Sequence, residues 1–321
     1  MNTDTPADDL QPVLIRAKRM LTPDICRFEL VAPDGGTLAP FTAGAHLAVR
    51  TPSGAMRNYS LSNDPAETDR YVLGVKAERS GRGGSVSLIE ETAEGDTIAV
   101  SQPVNDFPLV AAPDYILVAG GIGITPIMAM ARQLARTAER FRLVYCTRSP
   151  EHTAFAEDLA APEFAGKVAI HHDGGDPEAM FDFWALFEKP GKAHVYCCGP
   201  GALMEEIRGV TGHWPQPAIH FEDFGADVRA IRDDDRAFTV RHARTGETVE
   251  IPADATILDT LRARGHRVAS SCESGTCGSC RTALVAGEAD HRDLVLSDEE
   301  KATNIMVCVS RARSGDLVLD W

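Results

Sequence analysis

The chain has 321 residues, of which 44% are hydrophobic and 25% charged, and a formal net charge of −15. A chain of this length can form two or three domains, and the strong negative charge argues against nucleic acid or an anionic membrane surface as the main partner. The polar first nine residues, and the lack of any run of 18 apolar residues, predict a cytoplasmic protein with neither a targeting signal nor a membrane anchor.

The first third of the chain has the pattern of a series of short strands separated by Gly, Pro, Asn and Asp. The clearest of these predicted strands are Val13–Ala17, Ile25–Leu30, His46–Arg50, Tyr71–Lys76 and Thr97–Val100. Short strands at this spacing are typical of an antiparallel barrel or sandwich. We therefore predict an antiparallel β domain over residues 1–110.

Two short segments in this β domain have residues suited to a phosphorylated ring compound. Arg57-Asn58-Tyr59-Ser60-Leu61 offers a cation for a phosphate, an aromatic ring that can lie along a flavin, and a hydroxyl that can donate to a ring nitrogen. An ordinary strand with an exposed arginine would look the same. Gly81-Arg82-Gly83-Gly84-Ser85 precedes a predicted helix starting near Val86, so its amides can hold one phosphate, although a flexible loop is the alternative.

Residues 111–226 change to alternating strands and helices. Tyr115–Ala119, Arg142–Cys146, Val168–His172 and His194–Cys197 have the apolar character of buried parallel strands. Amphipathic segments lie between them. This pattern predicts an α/β domain built on a parallel sheet.

A glycine-rich turn follows the first strand of the α/β domain. Gly120-Gly121-Ile122-Gly123-Ile124-Thr125-Pro126 joins that strand to a helix, where glycines allow the backbone to approach a pyrophosphate. We expect Thr125 to cap the helix and Pro126 to occupy its first position, leaving amide groups directed at an anion. A tight turn that needs glycine for its own geometry is the alternative.

Residues 227–236 are charged and lack glycine, which favours a solvated linker. The segment 237–321 then contains a group of cysteines with spacing C-x4-C-x2-C, formed by Cys272, Cys277 and Cys280, and followed by Cys308. This spacing is that of plant-type [2Fe–2S] ligands, and Gly275 and Gly278 allow positive φ in the ligand loop. A zinc site would more naturally repeat a C-x2-C pair, and a disulfide framework suits short secreted chains.

With these motifs in order, the chain resembles the phthalate dioxygenase reductase family of the ferredoxin–NADP reductase superfamily. The resemblance covers Arg57–Ser60, Gly81–Ser85, Gly120–Pro126, Cys198-Gly199-Pro200 and Cys272–Cys308. It implies a flavin-binding antiparallel β-barrel, an NAD-binding α/β domain and an α+β ferredoxin-like (β-grasp) domain. The segment His220–Gly225 resembles the one that ends the NAD domain and returns an aromatic residue to the flavin.

The resemblance also assigns residues to each cofactor. For FMN these are Arg57, Asn58, Tyr59, Ser60, Val75, Lys76, Gly81, Arg82, Gly83, Gly84, Ser85, Val86 and Phe224. For NADH they are Gly120, Gly121, Gly123, Thr125, Pro126, Asp173, Cys198 and Gly199, and the cluster ligands are Cys272, Cys277, Cys280 and Cys308. Ser60, Thr125 and Cys198 would act at the reacting rings.

The implied activity is a relay in which NADH reduces FMN, and electrons leave singly through the cluster to a Rieske-type oxygenase. FMN is favoured over FAD because no separate adenine-binding motif follows Gly81–Ser85. NADH is favoured over NADPH because Asp173 resembles a family acid that bonds the ribose and repels a 2′-phosphate, whereas Arg148 could instead accept that phosphate. The expected state is a monomer.

The sequence alone leaves three functions open. They are a reductase for a Rieske oxygenase of aromatic carboxylates, with phthalate the favoured substrate; a reductase for another acceptor, such as a demethylase-type oxygenase or a cytochrome P450; and a redox-sensing iron–sulfur flavoprotein. Residues 236–321 carry 11 Lys/Arg and 13 Asp/Glu, so this segment is nearly neutral. We expect the acceptor to dock there near Cys272–Cys280, with Arg281 and Arg292 contributing.

Overall fold

The computed structural model describes residues 10–79, 81, 83–224, 232, 234–270, 275, 278–293 and 295–321. It divides between Glu222 and Asp223 into two compact units. The larger unit contains an antiparallel sheet and a parallel sheet, and the smaller unit contains a third, mixed sheet.

The first sheet is a six-stranded antiparallel barrel with the strand order β4-β3-β6-β1-β2-β5. Its strands are β1 (Gln11–Met20), β2 (Ile25–Val31), β3 (His46–Arg50), β4 (Met56–Ser60), β5 (Tyr71–Lys76) and β6 (Thr97–Val100). An antiparallel bridge between Leu61 and Leu73 joins the two edges of the sheet, so the barrel is closed. The antiparallel sheet predicted for this part of the chain is confirmed. The helix α1 (Gly84–Glu90) lies between β5 and β6.

The second sheet has five parallel strands in the order β11-β10-β7-β8-β9. These are β7 (Tyr115–Gly120), β8 (Phe141–Thr147), β9 (Val168–His172), β10 (His194–Cys198) and β11 (Ile219–Glu222), with the helices α2 (Ile124–Arg136), α3 (Ala156–Leu159), α4 (Trp184–Phe187) and α5 (Gly201–Val210). The chain moves outward from β7 to β9 and then returns to β10 on the other side of β7. The carboxyl ends of β7 and β10 therefore flank a topological switch point, where open α/β sheets bind ligands.

β5 connects the barrel and the parallel sheet into one unit because both of its faces are buried. Leu73 and Val75 pack in the barrel core, whereas Val72 packs with residues of the parallel-sheet core. Ion pairs add to this contact, with Arg136 Nε 2.9 Å from an oxygen of Asp64. Apart from Phe224, the described flavin and nucleotide candidate residues thus belong to one compact unit.

The smaller unit has the mixed sheet of a ferredoxin-like domain, in the order β13-β12-β16-β14-β15. Its elements are β12 (Phe238–His242), β13 (Thr248–Ile251), α6 (Ile257–Ala263), β14 (Arg281–Asp290), α7 (Asp298–Lys301), β15 (Asn304–Met306) and β16 (Arg311–Asp320). β12 and β16 are parallel and the other pairs are antiparallel. α6 buries Ile257, Leu258 and Leu261 in the same core as Cys280 and Cys308. The predicted α+β class is confirmed.

One side chain near the end of the predicted linker, that of Asp235, is not solvated. Asp235 has a side chain only 7% exposed, and its carboxylate accepts from both terminal nitrogens of Arg292, with Nη1 at 2.8 Å. Arg311 Nε lies 3.5 Å away, and its guanidinium also donates to the carbonyl oxygens of Ala255, Arg236 and Pro252. The prediction of a solvated segment is therefore wrong at Asp235, which is anchored in the ferredoxin-like domain.

Among the residues that the structure describes, no helix is both long and apolar enough to cross a membrane.

Candidate redox and nucleotide sites

The switch point of the parallel sheet brings two predicted motifs into contact. A Cβ atom on Gly123 would lie 2.2 Å from the carbonyl oxygen of Cys198, and one on Gly120 would lie 2.7 Å from Cδ of Pro200. A side chain at Gly123 would clash with the backbone of Cys198 and Gly199, and one at Gly120 would clash with the side chains of Pro200 and Leu203. The turn Gly120–Gly123 and the segment Cys198–Pro200 therefore form one surface at the carboxyl ends of β7 and β10.

A buried tyrosine supports this turn from beneath. Gly121 adopts φ of +52°, and the hydroxyl of Tyr145 on β8 donates to its carbonyl oxygen at 3.0 Å. Tyr145 has no exposed surface, and its burial raises the pKa of the hydroxyl, so the group remains a neutral donor. Sequence reasoning missed Tyr145 because it looks like any other core residue of a buried strand.

The predicted cap of α2 is wrong. Gly123 occupies the N-cap position, and the Thr125 hydroxyl donates to the carbonyl oxygen of Ile122 at 3.0 Å instead of accepting from a helix amide. Pro126 is the third helical residue and not the first. The turn continues through a short 3-10 helix, Gly121–Gly123, directly into α2, which leaves no room for a separate capping residue.

The three residues predicted to act at the reacting rings are all buried. Thr125 is 1% exposed, Ser60 is 4% exposed and Cys198 has no exposed surface. Cys198 and Thr125 lie on the two sides of the switch point, whereas Ser60 ends β4 of the barrel. A bound ring can contact the Cys198 side chain only after the atoms that cover it move.

The carboxyl end of β9, the edge strand beyond β8, holds the predicted ribose-binding acid. The Asp173 amide donates to the Thr147 carbonyl oxygen at 3.2 Å, and the Gly174 amide donates to that of Arg148 at 2.9 Å. One oxygen of the half-buried Asp173 carboxylate accepts from the Gly175 amide at 2.7 Å. A carboxylate has further acceptor sites, so Asp173 can also receive a ribose hydroxyl. Asp173 and Arg148 therefore lie close together at the adjacent carboxyl ends of β9 and β8.

Two cysteines of the parallel sheet are structural. Burial, followed by the negative charge of Asp173, raises the pKa of Cys146 to about 12. Burial also raises the pKa of Cys197, which has no exposed surface. Both thiols stay protonated near neutral pH, so neither is a reactive thiolate.

β4 arranges the predicted flavin motif on two faces. Arg57 and Tyr59 pair with Val49 and Leu47 of β3, and Asn58 and Ser60 alternate with them on the other face. The Tyr59 hydroxyl is buried and has no hydrogen-bond partner among the described residues, and burial raises its pKa to about 12. A buried hydroxyl without a partner is costly, so this group fits a site completed by a bound molecule.

The glycine-rich loop before α1 lies against the same strand. A Cβ atom on Gly84 would lie 3.0 Å from Nε of Arg57, so the guanidinium is beside the first residue of the helix. Gly83 has φ of +78°. The Ser85 hydroxyl accepts from the Glu78 amide at 3.0 Å, which leaves its own hydrogen to donate. This loop, with Arg57, fits one phosphate group; Arg82 lies outside the described residues.

The C-terminal end of α1 is held by a lysine that was not predicted from the sequence. Lys18 on β1 donates through Nζ to the carbonyl oxygens of Ile89 and Thr92 at the last turn. A cation at a helix C-terminus satisfies carbonyl groups and stabilises the helix dipole. Lys18 therefore fixes the helix that begins at the candidate phosphate loop.

The remaining flavin candidates differ in what they can contact. The Val75 side chain is buried in the barrel core, so only its backbone can contact a flavin. Lys76, the next residue, is exposed, and Phe224 is 42% exposed. The amides of the α1 turn, including that of Val86, belong to the phosphate loop described above.

Two of the four predicted cluster ligands lie in the described part of the ferredoxin-like domain. The sulfur atoms of Cys280 and Cys308 are 3.1 Å apart and both side chains are buried, so they can be ligands of one iron. Cys272 and Cys277 lie outside the described residues. Gly275 and Gly278 have φ of +77° and +81°, which confirms the positive φ predicted at these two positions.

The two arginines expected at the docking surface have different environments. The Arg281 side chain is 43% exposed and forms an ion pair with Glu300 at 3.0 Å. The Arg292 side chain is 4% exposed and holds Asp235 and Asp290. Arg292 is therefore a structural residue, and the prediction that it contacts a partner is wrong.

Comparison with known proteins agrees with this fold. Residues 240–313 match the family of 2Fe-2S iron-sulfur cluster binding domains. The chain is 56% identical over 320 residues to phthalate dioxygenase reductase of Burkholderia cepacia, covering 98% of this chain and 99% of that protein. It is 52% identical over 316 residues to the phthalate 4,5-dioxygenase oxygenase reductase subunit of Pseudomonas putida, covering 98% and 97%.

A solved structure of phthalate dioxygenase reductase matches with a TM-score of 0.85 and 55% identity, over 98% of each chain. That structure is described as a modular one for electron transfer from pyridine nucleotides to [2Fe-2S]. The barrel, the parallel sheet and the cluster domain together define an oxidoreductase, the electron-transfer component of an oxygenase system. The chain belongs to the phthalate dioxygenase reductase family.

Proposed function

We propose that this protein is an NADH-dependent reductase that supplies electrons to a Rieske-type aromatic oxygenase. Its similarity to phthalate dioxygenase reductases favours phthalate as the substrate of that oxygenase. Its cofactors would be FMN in the barrel and a [2Fe–2S] cluster in the ferredoxin-like domain. When bound, these groups convert the electron pair of NADH into single electrons that an oxygenase can accept. We further propose that the protein acts as a monomer in the cytoplasm, where NADH is available.

The roles of the chain's own residues follow from the sites. Arg57, Gly83 and Ser85 would hold the flavin phosphate, and the Tyr59 hydroxyl would gain a hydrogen-bond partner. The turn Gly120–Gly123 would hold the pyrophosphate of the dinucleotide. No residue needs to act as a general acid or base, because the proposed reaction moves a hydride and single electrons.

The observation that supports this proposal most strongly is the 56% identity to a phthalate dioxygenase reductase over 98% of the chain, together with the three sheets on which the candidate residues for the three cofactors lie. Anaerobic titration of the purified protein with NADH tests it directly. We expect bleaching of the flavin absorbance, the electron paramagnetic resonance signal of a reduced [2Fe–2S] cluster, and reoxidation by a Rieske oxygenase acting on phthalate. Reduction by NADH without transfer to any oxygenase, cytochrome P450 or cytochrome c would indicate a sensor instead.

We propose that Asp173 sets the preference for NADH. Replacing it by alanine should relieve the repulsion of a 2′-phosphate and reduce the ratio of kcat/KM for NADH to that for NADPH by roughly ten- to a hundredfold, the effect of about 1–3 kcal/mol. Steady-state kinetics with both coenzymes measure this ratio.

The neighbouring acid gives a matched control for that substitution. Asp176 lies three residues after Asp173, and its exposed carboxylate accepts from the Glu178 amide. Asp176→Ala should leave the ratio of kcat/KM for the two coenzymes unchanged. Arg148→Ala tests the competing interpretation, in which Arg148 accepts the 2′-phosphate. If it does, this substitution should lower kcat/KM for NADPH and leave that for NADH unchanged. An unchanged ratio in Asp173→Ala would show that this acid does not contact the ribose.

We propose that the acceptor docks on the face of the ferredoxin-like domain that carries Arg281, directly after the ligand Cys280. Arg281→Glu should slow electron transfer to the cognate oxygenase by roughly tenfold at low salt, and the difference should shrink as salt screens the charge. Reduction of the flavin by NADH should be unaffected.

Arg244→Glu is the matched control for this surface. Arg244 also forms an exposed ion pair, with Asp320 at 2.7 Å, but it lies in the turn beside β13, at the opposite edge of the sheet from β15. Equal rates of transfer for the two variants would place the docking surface elsewhere.

A further inference from the structure

Gly74 lies in β5 where the barrel meets the α/β domain. Leu73 and Val75, on either side of it, point into the barrel core, whereas Val72 packs with the core of the α/β domain. Side chains alternate along a strand, so position 74 is on the same face as Val72. Any side chain at position 74 would therefore point at the α/β domain.

There is no room for a side chain at that position. A Cβ atom on Gly74 would lie 2.7 Å from Cγ2 of Thr125 and 3.2 Å from Cε2 of Phe155. Carbon atoms pack best at about 3.5–4.0 Å, so alanine would have to push at least one of these residues away. The φ of Gly74 is not in the left-handed region, so glycine is needed here for space and not for backbone conformation.

Phe155, which makes the second contact, has a backbone conformation that is rare for a residue other than glycine. Phe155 has φ of +58° and ψ of +20° and is 2% exposed. Bulky residues adopt this left-handed region only where the surroundings enforce it, and such residues cluster at functional sites. Phe155 and Thr125 come from two different segments of the α/β domain, and both press on the same glycine.

The chain around these contacts belongs to the two candidate sites. Thr125 follows the dinucleotide turn Gly120–Gly123 at the start of α2, and Gly74 precedes Val75 and Lys76 in the candidate flavin segment. The spacing between Gly74 and Thr125 therefore controls how closely the dinucleotide turn approaches the flavin strand. We propose that Gly74 is a positioning residue that sets the distance for hydride transfer from NADH to the flavin, an inference that rests on the proposed function.

The test is Gly74→Ala in the full-length protein with its cofactors. We expect the rate of flavin reduction at saturating NADH to fall roughly 10- to 100-fold, because a displacement of about 1 Å at a reacting centre can cost this much. Long-wavelength charge-transfer absorbance between NADH and flavin should weaken. Flavin content and the dissociation constant of ADP-ribose should not change, because neither depends on this spacing.

A double-mutant cycle identifies the cause. Thr125→Ser removes Cγ2 and keeps the hydroxyl. The loss in the rate of flavin reduction caused by Gly74→Ala should therefore be roughly tenfold smaller in the Thr125→Ser background than in the wild type. Gly209→Ala in α5 is the control, because a Cβ atom there has nothing within 4 Å, and the rate of flavin reduction should be unchanged.

A merely structural role for Gly74 would lower the Tm of Gly74→Ala but leave the folded protein with a normal rate of flavin reduction, and this result would overturn the proposal. Equal loss in the wild-type and Thr125→Ser backgrounds would also overturn it. If Gly74→Ala alone does not fold, the double variant is compared with Thr125→Ser for the same rate. Wild-type protein that NADH does not reduce would instead refute the proposed function.

Discussion

Replacing Cys308 by serine should abolish cytochrome c reduction, lowering the rate at least roughly a hundredfold, while NADH still reduces the flavin. Cys308 is one of the two proposed cluster ligands that the structure describes, with its sulfur 3.1 Å from that of Cys280. Serine is a poor substitute for the thiolates that hold an iron–sulfur cluster. The barrel and the parallel sheet belong to the other compact unit, so their cofactor sites should be unaffected.

Three measurements separate these effects. Iron and acid-labile sulfide content reports the cluster, bleaching of flavin absorbance by NADH reports hydride transfer, and ferricyanide reduction should fall less than cytochrome c reduction because ferricyanide can accept from the flavin. Cys26→Ala provides the control, since Cys26 is a buried thiol of the barrel core. Loss of the flavin from Cys308→Ser would show that the two units are not independent.

The elements of the fold were predictable where burial follows a simple pattern. His46–Arg50, Tyr71–Lys76 and Thr97–Val100 are strands with the predicted bounds, because short apolar or alternating runs between turn residues have few other structures open to them. Val168–His172 also has the predicted bounds, but most of its side chains are exposed, so the prediction of a buried strand is wrong there. The order of the sites was predictable for the same reason, since glycine turns and cysteine spacing are local in sequence.

Contacts between distant residues were not predictable. The charged run that contains Asp235 resembles a solvated linker, yet its partner Arg292 is 57 residues further along the chain. Both faces of β5 are buried, but the sequence does not show that Gly74 faces a second core. The Tyr145 hydroxyl reaches a loop on another strand. Each of these features depends on which elements are neighbours in space, which local patterns do not encode.

The buried ion pair of Asp235 with Arg292 and Arg311 predicts a second large effect, this time on the stability of the ferredoxin-like domain. Asp235→Asn should lower the free energy of unfolding of the ferredoxin-like domain by roughly 3 kcal/mol at pH 7, because breaking a buried ion pair leaves uncompensated charge. Arg292 and Arg311 are 4% and 2% exposed and would lose their shared carboxylate. Urea denaturation followed by the visible absorbance of the cluster measures this loss.

The effect should depend on pH in a defined direction. The hydrogen bond from Arg292 lowers the pKa of Asp235 below its ordinary value, so the ionised carboxylate contributes stability above the unfolded pKa and loses it as the pH falls through the folded pKa. The difference between wild type and Asp235→Asn should therefore be largest near neutral pH and shrink in acid, below about pH 4.

Two further variants decide whether the buried pair is responsible. Asp320→Asn removes the exposed partner of Arg244 and should change stability much less, since surface ion pairs contribute little. Arg292→Gln should destabilise the wild type strongly but cost much less in the Asp235→Asn background, because the two side chains act as a unit. Strictly additive losses would mean that Asp235 and Arg292 stabilise the domain independently, and that the end of the linker is not held by this ion pair.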